Sequence, residues 1–391
     1  MKILLYRWNA YNYKDVEDEF RRMGYGTTSF SYHLTNYDKN DDFQEMLDGK
    51  LSADHFDLVF TINFFPVVAE VCHAKKIPYV SWSCDSPLIS MHHESVFFPE
   101  NYIFDFDLSS CRLFEGMGVE HIWHLPLAVN VSRIDRLLAG AADLSSYENE
   151  IAFVGNLYER NSYDRLEKNL PEYLRGYFAA TMEIQSNTYG GNVLEEALTP
   201  EILERLSAYF TLEKSEKSFS DLGVIFSTTV LGYKVARMQR FAALLELSKK
   251  HPVSLYTESP ADELPGVFFR GGVDYWEELP KVFYGSRINL NLTIPNIKSG
   301  IPLRVWDVLG AGGFLLTNYQ AESAMYFTEG RDLVSFYDRE DMKEKADYYL
   351  RHEKERKQIA AHGRKTVLAE HTYEIRMRKM MDILKENQLL C

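Results

Sequence analysis

At 391 residues the chain is long enough for two domains, each with a hydrophobic core of its own. Hydrophobic residues at 46% and charged residues at 26% give a globular composition, which excludes wholesale disorder and a membrane-embedded body. The formal net charge of −14 argues against a surface built to neutralise nucleic-acid phosphates, so no nucleic-acid partner is expected, and a local basic pocket for a small anion stays open.

The opening "MKILLYRW" is too short for a secretory signal, and no apolar run of the length a membrane span needs follows it. A cytoplasmic protein with no integral membrane association is expected. Cys72, Cys84, Cys111 and Cys391 are scattered without a Cys-x-x-Cys spacing, which predicts reduced thiols rather than a zinc site or a disulfide framework. Aromatic residues at 14% fit large cores first, and after that a surface that meets sugars or partners through flat apolar faces.

In chain order, "KILLYRW", "FDLVFTIN", "IPYVSWS", "YIFDFDL" and "EHIWHLPL" read as short apolar strands, with amphipathic helices such as "KDVEDEFRRMG", "VVAEVCHAKK" and "CRLFEGMG" between them. That alternation predicts a doubly wound parallel sheet. No Gly-x-Gly-x-x-Gly follows the first strand, so a nicotinamide cofactor is disfavoured. The polar stretch "RIDRLLAGAADLSSYEN" reads as a linker, dividing the chain into a first domain over 1–145 and a second over 146–391. The second opens on the strand of "NEIAFVGNLYERN", runs into a mainly helical insertion at about 161–250, and resumes the alternation from "VSLYTE" onward. The fold class expected is α/β, two Rossmann-like domains facing a central cleft.

Several residues stand at the predicted carboxyl ends of strands, where open parallel sheets bind ligands. In the second domain these are Gly155 and Asn156, with Arg160 shortly after, and Glu258. In the first they are Asn63, on the side assigned to an acceptor, and Asp85, in "SWSCDSP", which is able to serve as a general base. Asn63, Asp85 and Glu258 also suit turns or caps. His92 and His93 follow closely as further candidates for proton transfer, with His92 the one assigned to catalysis.

The segment "SGIPLRVWDVLGAGGFLLTN" carries most of the chemistry. Its apolar residues predict a buried helix running into a buried strand, with Arg304 and Asp307 on one helix face because they are three apart. Ser299 and Gly300 would form the helix entrance, offering free N–H groups and the positive end of the helix dipole to a phosphate. Lys298 and Arg304 supply charge, and Gly312 and Gly313 complete the expected nucleotide-sugar site. An intrahelical ion pair beside a tight turn explains the same residues without a ligand.

This segment, taken with "FVGNLYERN", "FRGGVDYWEELPKVFYGS" and the helix leading to "HTYEIRM", resembles the C-terminal domain of GT-B glycosyltransferases of the CgeB-like group, related to the family-4-type enzymes. In the first half, "YVSWSCDSP" and "HLPLAVN" resemble the companion domain. The resemblance implies transfer of a sugar from a UDP-, GDP- or dTDP-linked donor to a hydroxyl of a protein or glycan, with retention of configuration, no resident cofactor and no metal. A base such as Asp85 would instead suit inversion. Family-4-type enzymes carry two glutamates separated by seven residues on this helix. The later position is Asp307, implied to bind the donor's ribose, and the earlier is Ser299, so the acid near the donor sugar is missing. Two alternatives remain: a nucleotide-sugar epimerase, and a non-catalytic carbohydrate-binding or assembly protein on the same fold.

Overall fold

The computed structural model describes residues 1–260, 264–387 and 389, so Cys391 lies outside the described residues. The chain forms two compact units, one of Met1–Leu127, Leu212–Asp221 and Tyr373–Cys391, the other of Ala128–Thr211 and Leu222–Thr372.

The first unit is a parallel sheet of β1 (Lys2–Arg7), β2 (Gly26–Ser31), β3 (Leu58–Ile62), β4 (Tyr79–Trp82), β5 (Asn101–Asp105) and β6 (Ile122–His124). Its strand order is β2-β1-β3-β4-β5-β6. The crossovers include α1 (Tyr13–Arg22), α2 (Asp41–Ala53), α3 (Pro66–Lys75) and α4 (Leu108–Gly116). β3 and β4 are buried along their whole length, which is why they read as mostly apolar runs, broken only by Thr61 and Ser81, rather than as alternation.

The second unit holds β7 (Asn149–Val154), β8 (Val253–Tyr256), β9 (Val267–Gly271), β10 (Ser286–Asn291), β11 (Leu315–Asn318) and β12 (Val334–Phe336), also all parallel. Their order is β12-β11-β10-β7-β8-β9, the doubly wound arrangement in which the first strand of the unit lies at the centre. Between β7 and β8 the chain is helical, through α5 (Glu172–Ser186), α6 (Leu194–Ala197), α7 (Pro200–Ser207) and a π-helical turn at Phe226–Gly232, ending in α8 (Tyr233–Ser248). Leu174, Phe178, Leu206, Phe226 and Leu231 give this region a core separate from that of the sheet. α9 (Leu279–Gly285), α10 (Leu303–Gly310), α11 (Arg339–Arg351) and α12 (Glu353–Glu370) complete the unit.

Two features depart from the expected division at residue 145. The first unit's opening stretch stops at Leu127, and the last helix, α13 (Tyr373–Glu386), belongs with the first unit rather than the second. Its buried face of Tyr373, Met377, Met380, Met381 and Leu384 recurs at helical spacing, and the Tyr373 ring meets Trp82 of β4 edge-on at 5.9 Å. The short segment Leu212–Asp221 also joins the first unit, where Phe219 packs against the core. Among the described residues no helix is long and apolar enough to cross a membrane.

Candidate functional site

In the second sheet the strand order reverses between β7 and β10, and the crevice beyond their carboxyl ends is where such sheets take ligands. β7 ends at Val154, and Gly155 follows with φ of 155°, its N–H donating to Tyr256 O at 3.0 Å. A Cβ at Gly155 would meet Arg240 Nη1 at an ordinary contact distance of 3.6 Å, so the backbone angle rather than the space favours glycine there. Arg240, on α8, joins the two strand ends. Its Nη1 donates to Asn156 O, its Nη2 to Leu292 O at 3.0 Å, and its charge rests over the Tyr158 ring at 4.9 Å. Its Nε finds no partner among the described residues. Burial lowers the Arg240 pKa, with Tyr158 opposing, so this is a desolvated cation supported largely by neutral groups, and an arriving anion would relieve it.

Arg304, on α10, reaches the same turn and donates from Nη1 to Val154 O at 2.8 Å. One turn on, Asp307 is buried at 6% exposure and accepts a bond from the Tyr275 hydroxyl at 3.3 Å. Tyr275 and its neighbour Trp276 are steadied by Arg133, whose guanidinium lies 5.5 and 4.9 Å from their ring centres.

The helix entrance differs from expectation. α10 begins at Leu303 with Pro302 as its N-cap, three residues beyond Ser299. Proline has no N–H and holds Ile301 before it out of helical geometry, so Ser299 and Gly300 lie outside the first turn and offer no helix-dipole site. They are instead pinned by the loop after β11. Gln320 Nε2 donates to Gly300 O at 3.1 Å, and Ser299 Oγ donates to Oε1 of the buried Glu322 at 2.7 Å. The position without its own acid is thus joined to an acid from another segment. Lys298 pairs with Glu195 at 2.5 Å.

Gly312 and Gly313 lie elsewhere. Gly312, with φ of 78°, ends α10, and both glycines precede β11 at its amino end, opposite the strand ends that carry Gly155 and Arg240. Their role is the turn: a Cβ at Gly313 would fall 2.6 Å from Phe283 O. Glu258 is exposed after β8, where its Cγ lies 2.9 Å from the point a Cβ on Gly272 would occupy. Arg160 is exposed beyond the Asn156 turn.

The first unit reverses its strand order between β1 and β3. Trp8 closes that point, its Nε1 donating to Ile62 O at 2.6 Å. Asn63 follows β3 in the left-handed region at φ of 66°, a conformation asparagine tolerates better than most residues. Its side chain bridges to the next strand end, Nδ2 donating to Asp85 Oδ2 at 2.7 Å and Oδ1 accepting from Cys84 N at 2.8 Å. Asp85 is exposed, yet the protein packed around it raises its pKa, while the Asn63 bond pulls it down. His92 is 6% exposed, edge-on to Phe114 at 5.1 Å and tilted against Phe219 at 5.7 Å. His93 is buried too, its Nδ1 accepting from Ser95 N at 3.2 Å at the head of a short 3-10 turn.

One Asp-x-Asp pattern occurs, Asp105 and Asp107, and it faces inward. Asp105 accepts from Ser83 Oγ at 2.8 Å, Asp107 accepts from Ser86 Oγ at 2.9 Å and caps α4 through Ser109 N. Burial raises the Asp105 pKa to about 6.

Sequence reasoning missed Arg240, Glu322 and Trp8. Arg240 stands three residues after Arg237 on a helix of mixed character, a visible charge without a visible target. Nothing near Glu322 in "NYQAESAMYF" distinguishes it from a surface acid, since its burial depends on a contact with a residue 23 positions earlier.

Residues 239–382 match a family described as glycosyl transferase-like, and this stretch includes Arg240, Ser299, Arg304, Asp307 and Glu322. No curated protein matches the chain. Among solved structures, Anabaena HepE in complex with UDP and glucose is similar over 99% of this chain and 100% of its own, at 10% identity and a TM-score of 0.57. A sucrose-phosphate synthase from Thermosynechococcus elongatus is similar over 99% and 98% at 10% identity, with a TM-score of 0.55. A glycosyltransferase from Rickettsia africae is similar over 98% of both chains at 10% identity, with a TM-score of 0.53. The chain has the fold of GT-B glycosyltransferases: α/β, with two Rossmann-like domains.

Proposed function

We propose that this protein is a glycosyltransferase that takes a sugar from a nucleoside-diphosphate sugar held at the β7 and β10 strand ends and passes it to a hydroxyl of a protein or glycan. The observation that carries the reading is the pair of guanidiniums at one turn, Arg240 bridging Asn156 and Leu292 and Arg304 bonded to Val154. Both lie beside a glycine turn at a topological switch point, where a diphosphate is met by charge-assisted hydrogen bonds. Asp307 is assigned to the ribose hydroxyls, and Tyr275 and Trp276 are candidates to flank the nucleoside.

In the reaction, the acceptor oxygen bonds to the anomeric carbon as the bond from that carbon to the diphosphate oxygen breaks. In the retaining course, the acceptor proton passes to the departing diphosphate. Arg240 and Arg304 stabilise the negative charge that develops there, which is the electrostatic part of catalysis. Glu322, bonded to Ser299, is proposed to supply the carboxylate near the donor sugar that Ser299 itself lacks. Asp85, oriented by Asn63, is proposed to accept a hydrogen bond from the acceptor hydroxyl.

The reading is tested by thermal-shift titration of the protein with UDP, GDP and dTDP and their sugars, because a ligand that binds only the native state raises apparent stability. A shift selective for one nucleoside diphosphate is expected. No shift with any of them at millimolar ligand would overturn the assignment.

A further inference from the structure

A cavity of about 800 Å³ lies in the second unit at the amino ends of β7, β10 and β11, the opposite end of the sheet from Arg240 and Arg304. Its volume is that of small-molecule sites. Asn149 and Ser286, which open β7 and β10, line it and bond to each other, Nδ2 to Oγ at 3.1 Å.

Four cations line the same space: Arg287, Arg356, Lys357 and Arg364. Arg356 is only 4% exposed. Its Nη1 donates to Tyr349 O at 2.6 Å. Arg364 places one amino group on Asp135, and its buried Nε has no hydrogen-bond partner among the described residues. Burial is the main influence lowering the Arg356 pKa, and the neighbouring Arg287 charge adds to it. Two carboxylates of the cavity are engaged with two of these cations. Glu150 meets His251 Nδ1 at 3.0 Å and Arg287 at 3.5 Å, and Glu353 meets Lys357 at 2.6 Å. A buried donor left unsatisfied is costly, more so when it is charged, and the Arg364 Nε, at a cavity that also holds the buried Arg356 guanidinium, is matched by an oxyanion with several acceptor oxygens.

We infer that this cavity is a second ligand site, separate from the donor site, and that it takes a small phosphorylated molecule through Arg356 and Arg364. The phosphate oxygens accept from Arg364 Nε and from the Arg356 guanidinium, and Lys357 adds charge at the mouth.

The test is calorimetric titration of the full chain with inorganic pyrophosphate, in the wild type and in Arg364→Gln, Lys357→Ala and Arg240→Gln. Arg364→Gln is expected to weaken pyrophosphate binding about tenfold. Lys357→Ala, at an exposed position whose loss leaves the core intact, is expected to weaken it less, and Arg240→Gln to leave this site unchanged. Binding lost in Arg240→Gln but retained in both cavity variants would place the pyrophosphate at the other end of the sheet and overturn the inference. Absence of binding at millimolar pyrophosphate would overturn it as well. Either failure leaves the donor-site reading standing, because that reading is judged by nucleoside diphosphates and Arg304.

Discussion

The two switch points of the molecule are closed by opposite chemistry. In the first unit, Trp8, Asn63 and Asp85 finish the strand ends with an indole, an amide and a carboxylate. In the second, Arg240 and Arg304 bring two guanidiniums to the carbonyls of Val154, Asn156 and Leu292. Similar parallel sheets thus present a rim suited to hydroxyl groups in one case and a rim suited to oxyanions in the other. The distinction comes from a few side chains on the crossover helices and loops, since the sheet itself supplies only the place.

The largest effect expected on this contrast concerns the buried acid of the first unit. Asp105 has a folded pKa of about 6 against an ordinary 3.8, so the native state holds its proton longer than the unfolded chain does. Stability from this group is complete below the unfolded value and is lost as pH rises through the folded one, a decline on the order of 3 kcal/mol. Asp105→Asn should flatten that decline in urea unfolding measured from acidic to neutral pH. An unchanged slope would mean that the inward Asp-x-Asp is ionised in the fold, and the first rim would then be more strongly anionic than described.

Next in size is Glu322→Gln, which should lower transfer by about a hundredfold while leaving nucleoside-diphosphate affinity as it was. Steady-state rates paired with calorimetry separate the two. Loss of affinity instead would move Glu322 from the sugar to the nucleotide. Smaller effects are expected from Arg240→Gln and Arg304→Gln, each weakening the nucleoside diphosphate about tenfold, with Asp85→Asn leaving that affinity unchanged. Equal losses in all three would erase the contrast between the rims.

The parallel sheets were legible because buried strands such as "LVFTI" and "VSLY" are mostly apolar runs separated by helices. Arg304 and Asp307 were legible as a pair on one helical face, and Pro302 carried in plain view the signal that moves the helix start past Ser299. Other parts depended on distance along the chain. Arg240 meets Asn156 across 84 positions, and no local pattern announces where a long side chain will end. The methionine-rich face of α13 reads as a buried stripe whichever sheet it covers, so its membership of the first unit emerges only in three dimensions. His92 followed the opposite path: its loop-like sequence context hid a ring packed between phenylalanines.

The return of α13 to the first unit bears on how the protein is made. The strands of that unit are synthesised first, yet the helix that covers Trp82 leaves the ribosome only after the whole second unit has been translated. The first sheet therefore waits without the apolar face of α13 while a later domain forms, a period in which exposed apolar surface is open to aggregation. Cutting the chain before Tyr373 would injure the unit whose strands come before the second unit in the chain.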